Sequence, residues 1–133
     1  MKGTNLVAPP HIDGKYIICR MKEQLTTLIE KLKDHSLPFK AVIEFIETDY
    51  QHQPTAFKNG TAQNEATQNQ GSAKVFAFAQ LNNLSQEDTL LLFAEHYQAV
   101  LNTPEGTDHQ NIRQFMVHGW PGIVFEGTAL VAK

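Results

Sequence analysis

The segment from Ser72 to Leu81 sets the strongest limit on the fold. Val75, Phe76, Phe78, Ala79 and Leu81 are apolar nearly all round a helix drawn through them. A helix without a polar face has to be enclosed by the rest of its domain. The spacing therefore predicts a central buried helix, opened by Ser72 and ended by Asn82-Asn83-Leu84. The remaining elements are what must enclose it.

Two helices precede it. Leu25, Leu28, Ile29 and Leu32 recur at helical spacing and predict an amphipathic helix over residues 22–34. Ser36-Leu37-Pro38 supplies a cap candidate and a first-turn proline. Phe39, Val42, Ile43 and Ile46, with Phe45 alongside, then predict a second helix ending near Asp49 and antiparallel to the first.

Downstream, Ser85-Gln86-Glu87-Asp88 reads as a capping box with Asp88 in place of the usual Glu. It heads a fourth helix through Leu91, Leu92, Ala94, Tyr97, Val100 and Leu101 to Asn102. Asp108 or Thr107 is the expected cap of a fifth helix, with Ile112, Phe115 and Met116 inward. Gly119 and Pro121-Gly122 stop that helix, and Ile123-Val124-Phe125 is strand-like. Its expected partner is residues 55–58, which end at the turn pair Asn59-Gly60.

The pattern gives a mainly α fold of about five helices with a small β element near the C-terminus. It is read as a compact single α+β domain over residues 21–133. Residues 1–20, interrupted by Pro9-Pro10 and Asp13-Gly14, read as an N-terminal arm or extension laid over the domain.

Composition narrows the function classes. A net charge of −3 and a pI near 6.0 provide no pull toward phosphate backbones, so no nucleic acid is expected as partner. The absence of any apolar run of about 18 residues argues against a membrane span, and the N-terminus lacks a secretory signal pattern. Cys19 stands alone, which excludes an intrachain disulfide and fits a reducing compartment. No metal or other cofactor is expected. His109 and His118 lie about half a turn apart on a helix, too far round to chelate one ion from it. No His-Glu-x-x-His, nucleophile-elbow or phosphate-loop pattern occurs.

The residues able to do chemistry fall in two stretches. From Gln51 to Ser72 the sequence turns to Gln, Asn, Thr and Gly. Asn59, Asn64, Glu65 and, just beyond, Lys74 are its candidate ligand-binding residues. Their amide density suits a hydrogen-bonding surface for a polar ligand or an extended peptide. The second stretch holds Asp108, His109, Arg113, His118 and Trp120. On a continuous helix His109 and Arg113 share a face, the first suited to proton transfer or anion contact, the second to a carboxylate or phosphate. Each residue also has a structural reading: Asp108 as a cap, His118 on the last helix carbonyls, Trp120 as a plug between helix and strand. His11, His35 and His52 read as surface loop residues.

The two stretches are expected to meet in one polar pocket, making the chain a binding module for a small polar ligand or a protein. The alternative is a small enzyme, hydrolase or transferase, with His109 or His118 as general base beside Asp108, Glu65 or Glu126. No catalytic residue is assigned.

Four motifs, residues 55–60, Asn64-Glu65-Ala66, residues 71–78 and residues 104–127, together resemble the HopJ type III effector family over residues 21–129. Family members begin near the position of Met21, which makes residues 1–20 an extension. The resemblance implies a bacterial protein, either cytoplasmic or passed into a host cell by type III secretion as a virulence effector. It brings no known activity and no catalytic residues.

Overall fold

The computed structural model describes residues 14–133, with side chains from Lys22 onward. The expected arm and His11 therefore lie largely outside the described residues. Helix α1 spans Gly14–Lys33, so Tyr16, Ile17, Ile18 and Cys19 are helical and the helix starts well before Lys22. Its predicted stripe, Leu25, Leu28, Ile29 and Leu32, is buried.

Helix α2 spans Phe39–Asp49 and buries Val42 and Ile46 completely. Ser36 does not cap it, because its hydroxyl donates to the Lys31 carbonyl at 2.9 Å. The cap comes from far along the chain: the Glu95 carboxylate accepts from the Phe39 N–H at 2.7 Å. A charged acceptor on an otherwise unpaired helix N–H is stabilising. Glu95→Ala is expected to cost about 1 kcal/mol in urea denaturation. Glu95→Gln, which keeps an acceptor, should cost less.

After the short strands β1 (Tyr50–His52), β2 (Phe57–Asn59) and β3 (Ala62–Asn64) comes α3, Gln70–Leu81. Ala73, Val75, Phe76, Ala77, Phe78 and Ala79 are all buried, as its all-round apolar sequence requires. Leu81, at its last turn, is 55% exposed. Phe76 lies at the middle of an aromatic cluster, with ring centroids 6.0 Å from Phe57, 5.4 Å from Phe93 and 4.9 Å from Phe115.

The expected fourth helix is two helices, α4 (Gln86–Leu91) and α5 (Glu95–Asn102), so six α-helices occur among the described residues. The serine half of the expected capping box forms at its head, with Ser85 Oγ accepting from the Asp88 N–H at 3.0 Å. The break is at Ala94, whose φ of 51° and ψ of −123° are unusual for an L-residue. Such a conformation costs on the order of 1–3 kcal/mol and persists only where its surroundings impose it. Here the turn drives Leu92 and Phe93 into the core, at 0% and 2% exposure.

Helix α6 spans Gln110–His118 and ends at Gly119, whose φ of 62° turns the chain out into a 3-10 turn over Trp120–Gly122. Strand β4 (Ile123–Phe125) pairs antiparallel with β2, Phe57 opposite Phe125 and Asn59 opposite Ile123. This is the pairing the sequence predicts, shifted along β2 to Phe57–Asn59. Strand β3 adds to the other edge through a hairpin at Gly60, whose φ is +59°. A Cβ there would collide with Gln114 and His118.

A second sheet, β1 with β5 (Leu130–Ala132), was not predicted, since three residues carry too little alternation to read as a strand. His52 therefore lies in a strand rather than a loop, its Nε2 3.1 Å from Gln70 Oε1. Among the described residues no helix is long and apolar enough to cross a membrane.

Candidate functional site

The hairpin of β2 and β3 directs Phe57, Asn59 and Asn64 inward, as its alternation requires. They meet Asn111, in the first turn of α6. Asn111 Nδ2 donates to Asn64 Oδ1 at 3.0 Å, and Asn111 Oδ1 accepts from Asn64 at 3.1 Å and from Asn59 at 3.0 Å. Asn59 Nδ2 also donates to the Asn111 carbonyl at 2.7 Å, and Asn69 Nδ2 donates to Asn64 Oδ1 at 2.7 Å. Asn59, Asn64 and Asn111 are buried, and only Asn59 Oδ1 lacks a partner. In a low-dielectric interior such amides hold their partners in one arrangement, because breaking a bond leaves a desolvated group unpaired. The amide-rich midsection and the histidine-bearing helix are thus joined, as the sequence predicts.

Beside this network opens a cleft of ≈ 600 Å³. One wall is Ala62, Gln63 and Asn64 with the start of α3, and the other is residues 109–112. Phe39, Phe93 and His96 close the end. The rings of His96 and His109 face each other at 5.2 Å and 36°, and Phe39 meets His96 edge-on at 4.9 Å. Among the described residues neither imidazole makes a hydrogen bond; Asp108 Oδ2 lies 4.0 Å from His109 Nε2. Among the described residues no Asp, Glu, Lys or Arg lines the cleft. Helices α3 and α6 both start at its walls, and their N-cap residues, Asn69 and His109, are left-handed without a side-chain cap bond.

The other predicted site residues lie elsewhere. Arg113 reaches back to its own loop, donating to Asp108 Oδ1 at 2.7 Å and to the Thr103 carbonyl at 2.9 Å. That corrects two expectations. His109 precedes the helix instead of sharing a face with Arg113, and neither Asp108 nor Thr107 is the cap, because Arg113 takes the Asp108 carboxylate. Lys74 ties α3 to α2 through Glu47 at 2.7 Å. Glu65 is exposed and outside the cleft, and its backbone serves Gln68 and Gln70. His118 is exposed beside Gly60 and Gly122. Trp120 donates from Nε1 to the Leu84 carbonyl at 3.0 Å and packs edge-on against Phe115 at 5.0 Å, the plug between helix and strand.

The hydrogen bond from Arg113 holds the Asp108 carboxyl below the ordinary carboxylate range, with the charges of His109 and Arg113 adding to it. A depressed folded-state value means the clamp contributes fully above the unfolded value of about 3.9. It is lost as pH falls through the lower folded value. Acidification should therefore move the Arg113 side-chain N–H signals only below about pH 4, with little change in global stability because the carboxylate is exposed.

Of the predicted residues, then, Asn64 and His109 line the cleft and Asn59 stands behind it. Asn69 lies in the amide-rich stretch that the sequence marks, whereas Phe39, His96, Gln110 and Asn111 were missed as members of the site. A polar Asn111 beside the inward Ile112 and Phe115 is the one available signal, since a buried amide needs a partner elsewhere. Among the described residues no group of three or more His, Cys, Asp or Glu side chains is placed to hold a metal ion.

Comparison with known proteins agrees with this architecture. The family model described as HopJ type III effector protein matches residues 25–130. A crystal structure of VPA0580, a protein of unknown function, is 46% identical and superposes with a TM-score of 0.75, covering 81% of this chain and 92% of that one. Among curated proteins no significant match was found. With the family pattern spanning the helices, the hairpin and the cleft alike, the chain belongs to the HopJ type III effector protein family.

Proposed function

We propose that this chain is a binding module whose ligand site is the cleft between the β3–α3 segment and the start of α6. One observation carries the reading: two stretches distant in sequence line one open cleft of ≈ 600 Å³, within the size range of small-molecule sites. The buried asparagines make a fixed wall, and His96 and His109 offer ring nitrogens that no described residue engages. Family membership adds an effector-like role, in which the bound molecule would belong to the cell that receives the protein. A translocation reporter fused to the N-terminal segment tests that delivery, with silence in a secretion-competent strain favouring a role inside the producing cell.

The enzymatic alternative is less well supported by the same geometry. A general base works through partners at hydrogen-bond distance, about 2.6–3.2 Å. Asp108 Oδ2 lies 4.0 Å from His109, and the other oxygen of that carboxylate is held by Arg113. His118, the second candidate base, does not line the cleft.

An unbiased thermal-shift screen tests the binding reading, because a ligand selective for the folded state raises its melting point. Ser72→Trp and Gln110→Trp, on opposite walls, should each abolish the shift given by a hit on the unsubstituted chain. Shifts that persist in both folded variants would place the ligand elsewhere.

A further inference from the structure

We infer that the cleft takes a small aromatic oxyanion, its carboxylate or phosphate at the adjoining edges of the His96 and His109 rings and its own ring against Phe39. The inference rests on the cleft being the ligand site and names the class of molecule that fits it. Three features converge. Among the described residues the only ionisable side chains lining the cleft are the two imidazoles, whose ring centroids lie 5.2 Å apart. An imidazole N–H points outward in the plane of its ring, and no described residue accepts from either ring, so an oxyanion at the adjoining ring edges can accept a hydrogen bond from each. Next to them, half-buried Phe39 and buried Phe93 stack with centroids 6.0 Å apart, an aromatic end wall for the rest of the ligand. The first turns of α3 and α6 add a field of the same sign.

The surrounding charges are few and committed. Glu95, beside His96 in sequence, caps α2 through the Phe39 N–H at 2.7 Å. Asp108, 4.0 Å from His109 Nε2, is bonded at 2.7 Å by Arg113. Among the described residues Asp108 is thus the one carboxylate within 4.0 Å of the His109 ring nitrogens, and it stands outside the lining. On the α3 side, Lys74 is paired with Glu47.

Four probes separate the possibilities: benzoate, phenyl phosphate, neutral benzamide and inorganic phosphate, each titrated into the full chain while backbone amide shifts are followed. The two aromatic anions should exceed benzamide by at least about tenfold and also outbind inorganic phosphate. His109→Asn, a residue tolerant of the left-handed backbone, and His96→Gln should each remove most of that preference for anion over benzamide. Benzamide binding in the cleft as tightly as benzoate would overturn the oxyanion while leaving the cleft as the site. No binding by either aromatic anion would also overturn it, and shifts gathered outside the cleft would remove both readings.

Discussion

Replacing Asn111 with Leu is expected to destabilise the protein by about 3 kcal/mol, although Leu is nearly isosteric and the position is buried. The cost comes from what the substitution leaves behind. Asn64 loses a donor to its Oδ1 and an acceptor for its Nδ2, and Asn59 loses one of its two acceptors. Both stay buried with fewer partners, Asn64 keeping Asn69 and the Phe57 carbonyl and Asn59 keeping the Asn111 carbonyl, so each carries amide groups desolvated without full compensation. Urea denaturation should show a lower midpoint with an unchanged slope. The same physics predicts that adding Asn59→Leu and Asn64→Leu recovers part of the loss, because the buried amides are then gone and only Asn69, which is exposed to water, loses its partner. A single Asn111→Leu variant within about 0.5 kcal/mol of the parent would mean that the network is ornamental.

Phe76→Ala should be more damaging still, at about 4 kcal/mol. Phe76 is fully buried in α3 and packs against the rings of Phe57, Phe93, Phe115 and Trp120. Those four residues come from β2, the α4–α5 turn, α6 and the 3-10 turn, so a void at Phe76 is shared by most of the molecule. Such a loss is a large part of the roughly 5–15 kcal/mol that holds a typical domain together. Calorimetry should record a fall in melting temperature of roughly 10 °C or more. Phe76→Leu, which fills most of the space, should lose well under half as much. A Phe76→Ala protein that melts within a few degrees of the parent would show that the core is not organised around α3.

What was legible in the sequence shares one property: its cause is local. The stripe of α1, the apolar circumference of α3, the Ser85 cap and the Gly119 exit each depend on residues within a turn or two of one another. The β2–β4 pairing was legible because a turn pair ends the first strand and a Trp-Pro-Gly break precedes the second. What stayed hidden depends on distant partners. Glu95 caps a helix 56 residues away, which no local pattern reports. Ala94 breaks a helix without glycine or proline, since Leu92 and Phe93 continue the apolar pattern right through the turn. That break is what brings His96 round to His109, so the half of the site it supplies was out of reach.

The site itself was visible as a region but not as a set of roles. Asparagine density marked residues 59–69, yet the sequence could not say that Asn59 and Asn64 would face Asn111 rather than solvent. Likewise Arg113 looked free for an anion until its loop closed on it through Asp108 and Thr103.

The most direct test is to map, by amide chemical shifts on the full chain, where the first confirmed ligand sits. Binding in the cleft predicts that the largest changes fall on Asn64, Asn69, Ser72, His96, His109 and Gln110. Changes concentrated instead on Gln24, Lys31 and Phe45, which line a separate groove between α1 and α2, would contradict it.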